Sequence, residues 1–212
     1  MTEVTIETPR GPARAHLAFP DDAAPAPAAG ALILGHGAGG GVGAPDLQAA
    51  RRAALDAGWA VALVEQPYRV AGRRAPAPAP HLDEAWTAVV ARLGADELAG
   101  LSVVTGGRSM GARVACRTAA ATASIGVLCL AFPLKPPQRA SATKPSPSRL
   151  GELNGAGAPT LVIQGVRDRF GMPPRGKSRT VVKVAGDHGL KADLPAVQAA
   201  VAKWLPGLLP AR

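Results

Sequence analysis

The sequence predicts an α/β domain in which a mostly parallel central sheet carries helices on both faces. Three observations predict it. Short apolar runs with no polar alternation, as strands buried on both faces require, recur from Ala31 onward. Stretches between them repeat their apolar residues at helical spacing. Glycine-rich or polar clusters at residues 35–41, 66–69, 106–109, 165–171 and 185–189 each follow one of the runs. A parallel sheet gathers its reactive groups there, beyond the C-terminal ends of its strands.

Taken in order, Val4 to Thr8 and Ala13 to Ala18 flank Pro9-Arg10-Gly11-Pro12 and read as a hairpin. Pro20 to Gly30, rich in proline and alanine, reads as a connecting loop. Ala31 to Leu34 is a buried strand stopped by Gly35-His36-Gly37-Ala38-Gly39-Gly40-Gly41. Asp46 is placed to cap a helix with Leu47, Ala50, Ala54 and Leu55 on one side and Gly58 at its end. Ala60 to Val64 is the next strand, and Pro67 to Pro80 a proline-rich loop holding Tyr68, Arg69, Arg73 and Arg74. A helix then aligns Leu82, Trp86, Val89, Val90 and Leu93 and leads to a strand starting at Leu101. Ile125 to Phe132, Pro159 to Gln164 and Thr180 to Val184 are the remaining strands, with a basic, proline-rich loop over Pro133 to Ala158. A closing helix begins near Asp193 and lines up Val197, Ala200, Val201, Trp204 and Leu205. Strands alternating with helices imply right-handed crossovers and a covered parallel sheet.

At 212 residues and 47% hydrophobic, the chain suits one well-buried core, so residues 1–212 are expected to form a single domain. No apolar run is long enough to span a bilayer, and no basic segment followed by an apolar stretch opens the chain, so a cytoplasmic protein without membrane contact is expected. Cys116 and Cys129 have no metal-site or disulfide-framework spacing and read as buried thiols. The net charge of +9 is uneven: residues 1–100 hold 8 basic and 11 acidic side chains, residues 101–212 hold 16 and 4. Those cations are scattered, with few aromatics for stacking and no nucleic-acid module, which argues against a nucleic-acid partner and for a basic face that suits anionic ligands.

The chemistry centres on Gly106-Gly107-Arg108-Ser109-Met110-Gly111, where an apolar run breaks on glycines and resumes with helical spacing. Gly107, Ser109 and Gly111 fit G-x-S-x-G, a strand-to-helix corner that lifts a serine hydroxyl above the sheet. A serine nucleophile needs a base, and the base needs an acid to orient it. In the order serine, acid, histidine, only His188 is available as base. Glu152, Asp168 and Asp187 lie between. Glu152 precedes a strand, which puts it on the wrong side of the sheet, and Asp187 neighbours His188, so its side chain points away. Asp168 follows a strand and is the expected orienter; a surface salt bridge with Arg167 or Arg169 is its alternative. Backbone N–H groups of Met110 and Ala38 are the expected oxyanion donors. A phosphate-binding loop over the same glycines lacks the Lys-Ser/Thr that would follow it.

The loop His36 to Gly40, the turn Gln66-Pro67-Tyr68 with Gly72-Arg73-Arg74-Ala75-Pro76, the corner at Ser109, the segment Gln164 to Gly171 and Gly186-Asp187-His188 together resemble the α/β-hydrolase superfamily. More narrowly, they are similar to its small, uncapped branch related to dienelactone hydrolases, which includes eukaryotic chromatin-complex subunits. The resemblance runs from about Ala31 onward and implies an α/β-hydrolase fold with no cap domain and a triad of Ser109, Asp168 and His188. Dienelactone hydrolases proper carry cysteine where this chain has Ser109, so their substrate is not carried over.

The expected function is a serine hydrolase acting on a small, and by charge anionic, acyl substrate at an open, shallow site. His36, Gly37, Gly39, Tyr68 and Arg108 are its substrate-binding candidates, with Arg69, Arg73 and Arg74 on a basic rim. No metal or organic cofactor is expected. The alternative is a silent scaffold that keeps the fold. Oligomeric state is not legible.

Overall fold

The computed structural model describes residues 2–20, 28–136 and 147–209. Eight strands, β1 (Thr2–Ile6), β2 (Ala13–Ala18), β3 (Ala31–Gly35), β4 (Ala60–Glu65), β5 (Val103–Arg108), β6 (Gly126–Leu130), β7 (Thr160–Gly165) and β8 (Arg179–Val184), form one sheet. Their spatial order is β1-β2-β4-β3-β5-β6-β7-β8. β1 and β2 pair antiparallel and β2 joins β4 antiparallel, while every pair from β4 to β8 is parallel. The order reverses around β3, so β3 and β5 lie side by side and their C-terminal loops open next to each other.

Helices α1 (Pro45–Asp56) and α6 (Leu194–Trp204) cover one face; α3 (Ala79–Ala95), α4 (Met110–Thr118) and the short α5 (Leu150–Asn154) cover the other. Within β3, Leu32 and Leu34 pack with Leu47 and Val201 on the first face, and Ala31 and Ile33 pack with Trp86 and Val90 on the second. The period of two is therefore present but invisible in the sequence, because both faces are apolar. Burying each such leucine or isoleucine contributes about 1.5–3 kcal/mol.

Several local expectations shift. Asp46 does not cap α1: Ala44 precedes the helix, and Pro45 occupies the first turn, where its fixed φ and missing N–H cost nothing. Pro67 starts a short helix, α2 (Pro67–Val70), inside the expected loop. The hairpin begins two residues earlier than its apolar pattern suggests, with Ile6 opposite Ala13 and the Thr8 hydroxyl donating to the Gly11 carbonyl at 2.7 Å. The strand that leads into the corner at Ser109, the elbow, starts at Val103 rather than Leu101. The loops expected over Pro20 to Gly30 and Pro133 to Ala158 lie partly outside the described residues; the described part of the second contains α5. The closing helix begins next to Asp193 as expected, and Asp193 caps it, its Oδ1 accepting from the Ala196 N–H at 3.1 Å. Cys116 and Cys129 are buried free thiols, their sulfurs 3.5 Å apart.

Candidate active site

The corner between β5 and α4 is shaped by close backbone approach. Ser109 has φ 51° and ψ −102°, a conformation that costs a non-glycine residue about 1–3 kcal/mol. Its N–H donates to the Leu130 carbonyl at 2.9 Å, so β6 holds the corner. A Cβ on Gly107 would stand 2.4 Å from the Gly35 carbonyl oxygen, and one on Gly111 2.3 Å from the same atom. The end of β3 passing under the turn thus dictates both glycines of the motif.

The turn brings Ser109 to His188 and Asp168. Ser109 Oγ lies 2.9 Å from His188 Nε2, and His188 Nδ1 lies 2.8 Å from Asp168 Oδ2. A carboxylate only accepts, so Nδ1 carries the ring proton and Nε2 is left to accept from the serine hydroxyl. Asp168 is itself fixed: Oδ1 accepts from the Phe170 N–H at 2.9 Å, and Oδ2 from Gln164 Nε2 at 2.8 Å. The Phe170 ring meets the imidazole edge-on, with centroids 4.4 Å apart. Asp187 turns away as expected, its Oδ1 accepting from the Gly189 N–H at 2.8 Å; that bond lowers its pKa. Glu152 is also out of reach of His188, though not for the expected reason. It pairs with Arg113 and Arg117, which line the cleft at Ser109, so it stands on the reactive side of the sheet.

The loop after β3 is braced from beneath. His36 is fully enclosed; Nε2 accepts from the Gln66 N–H at 3.1 Å, leaving Nδ1 to donate to the Gly37 carbonyl at 2.8 Å. Burial pushes its pKa down, which keeps it neutral and able to do both. Expected to bind substrate, His36 instead holds the loop. Tyr68, also expected at the substrate, is nearly buried and donates to the Ala38 carbonyl at 2.9 Å; burial pushes its pKa up to about 12. The Gly111 N–H donates to the His36 carbonyl at 3.1 Å, tying loop to elbow. Among the described residues, no backbone carbonyl takes the N–H of Ala38 or Met110. Gly37 runs close to the elbow: a Cβ there would stand 3.0 Å from the Arg108 guanidinium and 3.8 Å from Ser109 Cβ. A Cβ on Gly39 would meet nothing within 4 Å.

A cleft of about 240 Å³ reaches Ser109, Ala38 and Met110, walled by Leu82, Pro133 and Phe170 and by Arg113, Arg117 and Arg149. The arginines expected at its rim are elsewhere. Arg108 is held in place, Nε 2.9 Å from the buried Asp46 carboxylate and Nη2 donating to the His188 carbonyl at 3.0 Å, and it lines a different cavity, of about 430 Å³, beside His188 with Arg167, Arg169 and Lys191. Arg73 lines a separate cavity of about 300 Å³ with Arg10, Gln66 and His81. The sequence reading misses Arg113, Arg117 and Arg149. The first two carry a signal, their four-residue spacing on the helix after the elbow, which puts both on one face; Arg149 depends on the return of a long loop and carries none.

Among the described residues, no helix is long and apolar enough to cross a membrane. No curated protein is significantly similar to the chain. Solved structures are. An α/β serine hydrolase without lid, XC6422 of Xanthomonas campestris, superposes with TM-score 0.78 at 20% identity, covering 100% of this chain and 96% of its own. Est1E of Butyrivibrio proteoclasticus gives TM-score 0.77 at 14% identity, with 98% and 99% covered. Dienelactone hydrolase of Anabaena variabilis gives 0.75 at 18%, with 99% and 98% covered. Residues 28–193 match the family described as alpha/beta hydrolase domain, a span that opens before β3 and closes after the loop holding His188. In sequence as in topology, this chain belongs to the α/β-hydrolase superfamily.

Proposed function

We propose that the protein is a serine hydrolase that cleaves a small carboxylic ester or related acyl compound through an acyl-enzyme. The observation that carries this reading is the unbroken line of hydrogen-bond distances from Ser109 through His188 to Asp168, set on a strained turn. Ser109 Oγ attacks the carbonyl carbon while its proton passes to His188 Nε2. Asp168 faces the imidazolium that forms and keeps the ring oriented. The N–H groups of Ala38 and Met110 receive the oxyanion. His188 then gives its proton to the departing alkoxide, and the same residues run in reverse with water to free the acid. This chemistry requires neither metal nor organic cofactor.

A fluorophosphonate probe tests it. The wild-type protein is expected to label, and Ser109→Ala, with an unchanged circular dichroism spectrum, is expected neither to label nor to hydrolyse nitrophenyl esters above about one thousandth of the wild-type kcat. Folded wild-type protein that resists the probe would overturn the reading. In a series of nitrophenyl esters the short acyl chains should turn over best, because the cleft is small.

A further inference from the structure

The charges in the cleft do not balance. Arg113 is neutralised by Glu152, with Nε and Nη2 2.8 and 2.6 Å from the two carboxylate oxygens. Arg117 is neutralised by Asp83 in the same two-pronged way, at 2.8 and 2.6 Å, and its Nη1 lies 3.4 Å from Glu152. Three guanidinium groups therefore share two carboxylates. Arg149 is the one left over: among the described residues no carboxylate is paired with it. Its Nη1 donates to the Pro133 carbonyl at 3.2 Å and its main-chain N–H to the Leu134 carbonyl at 2.8 Å, which anchors it at the wall while its other guanidinium N–H groups have no partner among the described residues. Burial, and after it the nearby charge of Arg113, pushes its pKa down against the opposing pull of Glu152.

The rest of the wall beside the nucleophile is apolar, from Leu82, Met110, Pro133 and Phe170. Ser109 lines this cleft and His188 does not. The leaving group must collect its proton from His188 Nε2, so the leaving group departs past the imidazole and the cleft receives the acyl part. A group that satisfies an apolar wall ending at an uncompensated guanidinium is a short hydrocarbon chain ending in an anion. The planar fork of arginine fits a carboxylate by two parallel N–H···O bonds.

Resting on the serine-hydrolase reading above, we propose that the acyl group of the substrate carries a terminal carboxylate and that Arg149 receives it. The substrate class is then a half-ester of a short dicarboxylic acid. Arg113 and Arg117, already paired, shape the wall, and Arg149 supplies the specificity.

The test compares two near-isosteric esters, nitrophenyl butyrate and the mono-nitrophenyl ester of succinic acid, on the wild-type enzyme, Arg149→Met and Arg149→Lys. The wild type should favour the succinyl ester in kcat/KM by about tenfold or more. Arg149→Met should bring that ratio close to unity, chiefly through KM, and Arg149→Lys should restore part of it. A residue that merely supports the fold would depress both esters alike and leave the ratio unmoved. A wild type without the preference, or a ratio unchanged in Arg149→Met, overturns the inference. Should folded wild-type protein neither label with fluorophosphonate nor turn over either ester, the hydrolase reading fails, and the anion site is read by binding instead. Saturation-transfer NMR with monoethyl succinate then decides: a signal on the wild type that Arg149→Met abolishes supports the site, and equal signals, or none on either protein, overturn it.

Discussion

Arg108 joins the two halves of the candidate site: its Nη2 donates to the His188 carbonyl at 3.0 Å while its Nε lies 2.9 Å from the Asp46 carboxylate. Asp46 is fully buried, and burial raises its pKa despite the opposing charge of Arg108. The strand that carries Ser109 thereby grips the loop that carries His188, with α1 as anchor. Removing the arginine has two separable effects, loss of that grip and exposure of a buried carboxylate without its cation.

Arg108→Gln is therefore expected to lower kcat by about tenfold with little change in KM, and to lower stability by about 3 kcal/mol. Adding Asp46→Asn should recover much of the stability and none of the kcat. Chemical denaturation and steady-state kinetics on the two variants check this, and recovery of kcat in the double variant would contradict a positioning role.

Tyr68 sets the loop after β3 through its bond to the Ala38 carbonyl. Tyr68→Phe keeps the ring and loses that bond, so kcat should fall by about tenfold as the Ala38 N–H loses its aim, an effect smaller than deleting an oxyanion donor outright. Because burial pushes the phenol up to about 12, the wild-type pH–rate profile should show no alkaline break from Tyr68 below about pH 10.

Glycines of this chain divide by their surroundings. Gly111→Ala puts a methyl 2.3 Å from the Gly35 carbonyl, a backbone atom that cannot step aside, and should cost about 3 kcal/mol or more or prevent folding. Gly94 lies inside α3 with nothing within 4 Å of its added Cβ, so Gly94→Ala should stabilise by about 0.5–1 kcal/mol. Thermal melts of both variants check the contrast.

His36 couples stability to pH. Its folded pKa lies below the ordinary 6.5, so the unfolded chain binds a proton first. The stability it confers is complete above 6.5 and drains as pH falls from there toward its folded value. The melting temperature should accordingly drop more steeply between about pH 7 and pH 5 in the wild type than in His36→Gln, which offers a donor and an acceptor without titrating. Parallel slopes would show that other groups govern the acid limb.

Much of this architecture is legible in the chain. The strand segments and the long helices follow from apolar runs and helical periodicity, and the triad candidates from the elbow, one downstream histidine and the position of Asp168 after β7. Short-range details are less so. Asp46 has the residue type of a cap, yet Pro45 fixes the first turn and the carboxylate is needed by Arg108, a partner more than sixty residues away. Arg108 has the look of a substrate contact because it neighbours the nucleophile, and only the fold shows that its guanidinium is also tied to Asp46 and to the His188 carbonyl.

What the sequence by itself determined is the order of elements and the short list of candidate site residues, because periodicity and glycine breaks are local properties of the chain. Tertiary structure alone decided which arginines face the cleft and which face the core. Charge in a sequence has no direction; it acquires one only when α3, α4, α5 and the loop after β6 pack, so that Glu152 and Asp83 neutralise two cations and leave Arg149 without a paired carboxylate among the described residues.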